Sequence, residues 1–398
     1  MELYERLEKF IDTHLSEFQQ TALDIFAHPE TSNHEVYACK LLSDITNEYG
    51  FEVTVDIAGH PTGFIASYRS KKEGPVIGIL CEYDALPVLG HACGHNVYAA
   101  ISALSAVALK QVMDTIGGEV RLFGTPCEEG GENANAKISY VNAGLFHDVD
   151  VALSVHPSFY TRVSPPTLAI DGMLIEYIGK PSHSSNAPEK GINALDAAVM
   201  FYNGMSMLRQ QSCDGLRFTA YFENGGQPGI IPEYASLRVG VAALNREQAT
   251  KTMEKLEAIA HAGAMATGCK VTITRREKCD DEMILVPLLD ERYMQYMDRF
   301  HAPNINHHYT GGLGATDVGN VSQVVPTLHS RISISDTPIT AHTPEFKAAA
   351  CSERGLQVIG IAAKALACMG VDLIEQPEYL KAVKKQHQKA VQERRDNA

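Results

Sequence analysis

An apolar run from Pro75 to Leu80 ends abruptly in Cys81-Glu82-Tyr83-Asp84-Ala85-Leu86-Pro87. A second polar stretch, His91-Ala92-Cys93-Gly94-His95-Asn96, then opens onto small residues from Val97 to Leu109. This order predicts a buried strand, a polar loop and a helix. Open α/β sheets are built from such units, and their chemistry collects where strands end and helices begin. Two carboxylates, two thiols and two imidazoles crowd into this one crossover. That mix of residue types points to a divalent-metal site.

The flanking segments fit the same sheet. Leu3, Leu7, Phe10, Ile11, Leu15 and Phe18 recur at helical spacing, and a second helix is expected over 33–49, stopping at Gly50. Strands are expected at 52–55, 63–68, 76–81, 119–125 and 150–155, with a helix from His95 to about Met113. The rhythm changes at Ser164-Pro165-Pro166. Beyond it, a strand at 168–178, a helix at 192–209, strands at 217–222 and 235–242, a helix at 246–267 and a strand at 270–276 are expected. That β-α-β-β-α-β order is a ferredoxin-like split unit. The expected fold class is therefore α/β, a mixed open sheet flanked by helices, with an inserted α+β domain. The boundaries expected are 1–165 and 280–398 for the metal-binding domain and 166–279 for the insertion. Helices at 287–299 and 344–369 complete the first domain, and the mixed-charge tail 381–395 reads as a solvated helix end.

The net charge of −14 argues against nucleic-acid or anionic-membrane partners. No run approaches eighteen consecutive apolar residues, so no membrane span is expected. Nine irregularly spaced cysteines and a charged, amphipathic start, Met1-Glu2-Leu3-Tyr4-Glu5-Arg6, point to a reducing cytoplasm.

Individual residues carry different weight. Cys93 and His95, one glycine apart, can approach one ion. A lone buried cysteine is more often a small hydrophobe, but the surrounding carboxylates and imidazoles reverse that reading. Glu128-Glu129 follows a strand and precedes Gly130-Gly131. It is either a solvated turn or a pair with divided labour, one carboxylate on metal and one moving a proton. His156 ends a strand, where a lone histidine is as often a hydrogen-bonder as a ligand; His342 precedes a helix and has a capping-region alternative; His183 lies in the insertion and in isolation reads as a surface histidine. Gly311-Gly312-Leu313-Gly314 lacks the lysine of a phosphate loop, and His307-His308 reads as exposed loop.

Taken in order, these motifs resemble the dinuclear metallopeptidase family of aminoacylase and glutamate carboxypeptidase. Within it they are most similar to the amidohydrolase branch of aminobenzoyl-glutamate and auxin-conjugate hydrolases. The resemblance runs nearly end to end. It covers Ala27-His28-Pro29-Glu30 with Glu35, the Glu82–Pro87 and His91–Asn96 stretches, Glu128-Glu129-Gly130-Gly131, and His183 with Gly191 to Ala197. It continues through Gly314 to Ser322 and ends at His342-Thr343-Pro344-Glu345-Phe346. It implies hydrolysis of amide or peptide bonds in N-acyl or aminoacyl amino acids, dipeptides or aminobenzoyl-glutamate-type conjugates. It implies two divalent ions, zinc or manganese, held by Cys93, His95, Glu129, His156 and His342, with Cys93 replacing the bridging carboxylate of relatives. Glu128 would be the general base, Asp84 would orient a ligand histidine, and His183 would help hold the scissile carbonyl oxygen. A homodimer or higher homo-oligomer through the insertion, serving as lid and dimerisation domain, is also implied. The rival readings are a broader peptidase and a catalytically silent binding protein on the same scaffold. Three positions depart from the family pattern: Asn96, where much of the branch has Asp; Gly229, where an asparagine is usual; and the stretch Val239 to Leu244, which lacks the usual arginine, Arg238 being the nearest.

Overall fold

A computed structural model describes residues 2–307 and 313–396; His308, Gly311 and Gly312 lie outside them. In chain order the first part holds α1 (Glu2–Ala27), α2 (Val36–Glu48), β1 (Glu52–Ile57), β2 (His60–Arg69), β3 (Val76–Cys81), α3 (His95–Ile116), β4 (Glu119–Gly124), α4 (Ala136–Asn142) and β5 (Val151–Ser158). The middle holds β6 (Ala169–Ile178), β7 (Ser182–His183), α5 (Ala194–Leu208), β8 (Arg217–Asn224), β9 (Ile230–Ile231), β10 (Tyr234–Ala243), α6 (Arg246–Thr267) and β11 (Lys270–Arg275). The last part holds α7 (Pro287–Arg299), α8 (Val318–Ser322), β12 (Thr327–Ser333), α9 (Pro344–Ala350), α10 (Glu353–Glu375) and α11 (Pro377–Asp396).

The chain divides into two compact units. One is Met1–Pro166 with Met283–Leu313 and Asp317–Ala398; the other is Thr167–Glu282 with Gly314–Thr316. The first unit is built on a six-stranded mixed sheet in the order β1-β2-β4-β3-β5-β12. β1, β2 and β4 pair antiparallel, while β4, β3, β5 and β12 run parallel. β3 is buried at every residue, as a central parallel strand covered on both faces must be. α1, α3 and α10 supply much of the cover. Leu7, Ile11, Phe18 and Ile25 of α1 are fully buried against this core, and burial of a large apolar side chain contributes about 1.5–3 kcal/mol. α3 and α10 are long and apolar enough to cross a membrane by length and composition, yet most of each is buried inside the first unit.

Three elements of this unit differ from expectation. The helix expected over 344–369 is two helices, because Ser352 caps a new start by accepting from the Gly355 N–H at 3.1 Å. The tail is a packed helix rather than a solvated end: Val383 and His387 are buried, and Tyr379 Oη donates to the Leu288 carbonyl at 3.0 Å. The unexpected β12 completes the parallel set.

The second unit is a four-stranded antiparallel sheet in the order β11-β6-β10-β8, the arrangement of a ferredoxin-like unit. β6 alternates buried and half-buried residues. Its inward Met173, Ile175 and Tyr177 share a core with Phe201 and Met205 of α5 and with Met253 and Leu256 of α6.

Candidate metal centre

The parallel strands of the first unit all point their carboxyl ends at one place. Glu82 and Asp84 follow β3, Glu128 and Glu129 follow β4, His156 lies at the end of β5, and His342 lies between β12 and α9. Cys93 and His95 flank the start of α3. Gly94 between them is left-handed (φ 84°), and a Cβ there would sit 3.0 Å from Pro157 and 3.3 Å from Phe346. Only glycine combines that φ with that space. His342 is also left-handed (φ 65°) and is tethered by its N–H to the Ala92 carbonyl at 2.9 Å. Cys127, φ 61°, donates its N–H to buried Glu35 at 3.1 Å. Glu35 also accepts from Thr62 at 2.7 Å, and so anchors the loop that presents Glu128 and Glu129.

The potential ligand atoms form two triads that share one thiol. Cys93, His95 and His156 make one group and Cys93, Glu129 and His342 the other, each with ligand atoms within 4.8 Å of one another. Cys93 Sγ is 3.6 Å from His156 Nε2, and Glu129 Oε2 is 3.3 Å from His342 Nε2. Glu129 Oε1 is buried with no hydrogen-bond partner among the described residues, and buried His95 Nε2 faces Glu82 Oε2 at 3.2 Å. Bare buried polar atoms cost about 1–3 kcal/mol each, so cations in this space would satisfy an oxygen that the protein leaves unpaired. The soft thiolate, imidazoles and carboxylate are a donor set suited to such ions.

Asp84 organises the cluster from behind. Its Oδ1 accepts from His95 Nδ1 at 2.9 Å and its Oδ2 from the Glu129 N–H at 2.8 Å. The first bond leaves His95 Nε2 directed into the cluster as a ligand atom. Burial opposes ionisation of Asp84, but the charge and hydrogen bond of His95 outweigh it and hold its carboxyl below the ordinary range. Burial pushes the Cys93 thiol up and drives His156 well below the usual imidazole value, keeping His156 neutral. Glu128 is held well above the ordinary carboxyl range, first by burial and then by Glu82.

A buried ionic network beneath Glu128 escaped the sequence reading. Lys137 Nζ lies 2.9 Å from Glu82 Oε1 and 2.6 Å from Asp317 Oδ1, and all three side chains are fully buried. Glu82 Oε2 is 3.2 Å from His95 Nε2. The carboxylates of Glu82, Glu128 and Asp317 cluster within 4.8 Å. Nothing in the spacing of Lys137 or Asp317 betrays this role, because α4 and the loop before α8 meet only in three dimensions. Asn96 is explained: its Nδ2 donates to the carbonyls of Ala22 (3.2 Å) and Ala350 (3.0 Å), tying α1 and α9 to α3. Arg238, on β10, is paired with Glu223.

His183 lies in the second unit, exposed on β7. Its Nδ1 accepts the N–H groups of Ser185 and Asn186, both at 3.2 Å, which leaves the Nε2 proton free to donate outward.

Residues 169–267, most of the second unit, match the model of the M20 peptidase dimerisation domain. The chain is 36% identical over 349 residues to the Xaa-Arg dipeptidase of Mus musculus, covering 84% of this chain and 80% of that protein. Against the Homo sapiens Xaa-Arg dipeptidase it is 33% identical over 390 residues, covering 93% and 88%. A Bacillus subtilis crystal structure described as a dinuclear metal-binding peptidase superimposes with a TM-score of 0.68, at 19% identity, over 91% of this chain and 99% of that one. With a cluster of potential metal ligands on that fold and relatives matched nearly end to end, the chain belongs to the M20 family of metal-dependent peptidases and amidohydrolases, enzymes that hydrolyse carbon–nitrogen bonds.

Proposed function

We propose that this protein is a two-metal hydrolase of small amides, with dipeptides, N-acyl amino acids and aminobenzoyl-glutamate-type conjugates as its substrate class. The observation that carries the reading is the sharing of Cys93 Sγ by two complete triads. His95 and His156 would complete one ion's set, and Glu129 and His342 the other's. The thiolate favours zinc on softness, while the nitrogen and oxygen donors also admit manganese. When bound, such ions supply a lowered water pKa and a Lewis acid for the scissile carbonyl. Glu128 takes the proton of the attacking water and returns it to the leaving nitrogen. Asp84 keeps His95 and the Glu129 backbone in register with the cluster. His183 offers an Nε2 proton suited to hydrogen-bond an oxyanion.

The second unit's surface supports assembly of a homodimer. β8 is an edge strand of its sheet, with Tyr221 and Phe222 exposed, and on α5 Val199, Met200 and Tyr202 are exposed. An unpaired edge flanked by apolar residues is a surface that a second copy can cover. Nine cysteines at irregular spacing support a cytoplasmic location.

Glu128→Gln is expected to lower turnover by about 10²–10⁴-fold while metal content stays unchanged. Both are measured on protein loaded separately with zinc and with manganese. The substrate panel comprises dipeptides, N-acyl amino acids, aminobenzoyl-glutamate and a denatured protein. Near-normal activity of the variant would remove Glu128 from its role. Hydrolysis of the denatured protein alone would replace the small-amide reading with a broad peptidase.

A further inference from the structure

Next to the candidate ligand His156, the sheet carries a positive charge that forms no ion pair with a carboxylate among the described residues. β12 pairs with β5 so that Arg331 registers on His156 and His329 on Ser154. The face is fixed by contacts. Ser154 Oγ lies 2.8 Å from His329 Nδ1, and the Tyr98 ring stands 5.5 Å from the ring of His156 and 6.3 Å from that of His329. Side chains two apart on a strand share a face. Arg331 therefore leaves the sheet beside His156, about 4.8 Å away across the strand spacing.

Arg331 is partly buried, and its Nη1 donates to two main-chain carbonyls, His329 (3.0 Å) and Ser330 (3.4 Å). Neither neutralises the charge. Elsewhere in the first unit Arg121 pairs with Asp148, Arg292 with Asp372 and Arg354 with Asp336. Among the described residues no carboxylate forms an ion pair with Arg331, although the chain carries 48 acidic side chains against 34 basic ones. The charge of Arg162, whose backbone exchanges hydrogen bonds with that of Arg331 at 3.1 and 3.0 Å, opposes that of Arg331, and Glu82 offsets it only in part. Burial and, after it, the Arg162 charge pull the Arg331 guanidinium down to about 10. A bound anion would relieve both effects.

We propose that Arg331 is a substrate-binding residue that receives the carboxylate of the amino acid on the leaving side of the scissile amide. The inference rests on the two-metal amide hydrolysis proposed above. That carboxylate is one Cα removed from the leaving nitrogen, which matches an arginine whose strand lies beside that of a metal-ligand candidate. The planar fork of arginine suits a carboxylate through paired N–H bonds.

The test separates this idea from the reaction itself. On metal-loaded Glu128→Gln protein, calorimetry compares N-acetyl-alanine with N-acetyl-alaninamide. The acid should bind about 10–100-fold more tightly, the range expected of a charged hydrogen-bonded pair. Adding Arg331→Gln should narrow the ratio to within about threefold, and Arg331→Lys, which keeps the charge but loses the fork, should leave it intermediate. A preference for the acid that survives both substitutions, in protein with native circular dichroism and full metal content, overturns the proposal. So does an absence of preference in the parent. Turnover of alanine-containing dipeptides by the unsubstituted enzyme is read in parallel. Its failure would sink the hydrolase reading, while the binding ratio still decides the role of Arg331.

Discussion

Cys93 is the residue on which both metal triads depend, so its replacement should not behave like loss of an ordinary ligand. Cys93→Ala is expected to release both ions together, whereas His342→Ala should weaken chiefly the ion shared with Glu129. Cys93→Asp restores an anionic bridge from a harder atom and should keep two ions while shifting preference from zinc towards manganese. Metal analysis after dialysis checks all three, and retention of both ions by Cys93→Ala would end the bridging assignment. Of the proposed ligands, Cys93 and His95 stand out as a short run and Glu129 stands beside Glu128, whereas His156 and His342 are isolated in sequence and enter only through the family resemblance. Lys137, Asp317 and Arg331 were not legible, since each acts through partners in distant segments and has no neighbour in sequence that hints at its task. Glu82, two residues before Asp84, has its carboxylate 3.2 Å from His95 Nε2 and 2.9 Å from Lys137 Nζ.

Among the elements, β12 shows why a strand can hide. Its polar residues occupy both faces, which masks the alternation expected of a strand, and two of them find partners outside the strand. His329 meets Ser154, and Ser330 donates to Asp290 of α7 at 3.1 Å. Asp290 also accepts the Ser164 N–H at 2.8 Å, yet burial raises its pKa from 3.8 to about 6. Between those values the folded protein keeps a proton that the unfolded chain has lost, so stability falls as pH rises through the window. The full effect is roughly 2–3 kcal/mol. Asp290→Asn should remove that part of the slope. Urea midpoints of both proteins from pH 4 to pH 7 provide the comparison, and parallel curves would mean that Asp290 does not titrate there. α9 and α10 illustrate the opposite failure: their combined sequence is periodic enough to read as one helix, and the break depends on one cap at Ser352.

For the whole molecule, the change of rhythm at Ser164-Pro165-Pro166 made the two-unit organisation readable, because a parallel α/β pattern gives way to an antiparallel split unit. The return of Gly314–Thr316 to the second unit has no such signature. All five proposed ligands lie in the first unit, so metal should stabilise it selectively. At about 100 times Kd, binding adds about 2.7 kcal/mol, or roughly 5–10 °C for a unit of this size. Calorimetry with and without chelator should move one transition. The chain has no tryptophan, so a Tyr202→Trp reporter follows the second unit by itself; an equal shift there would mean that the units melt as one body. The late position of β12 has a further cost during synthesis. β5 has no partner on that side until residues 159–326 have been made, about 10–30 s at ordinary ribosomal rates. Through that interval the nascent protein carries an open apolar sheet edge, a natural handle for chaperones and, when they are scarce, a nucleus for aggregation.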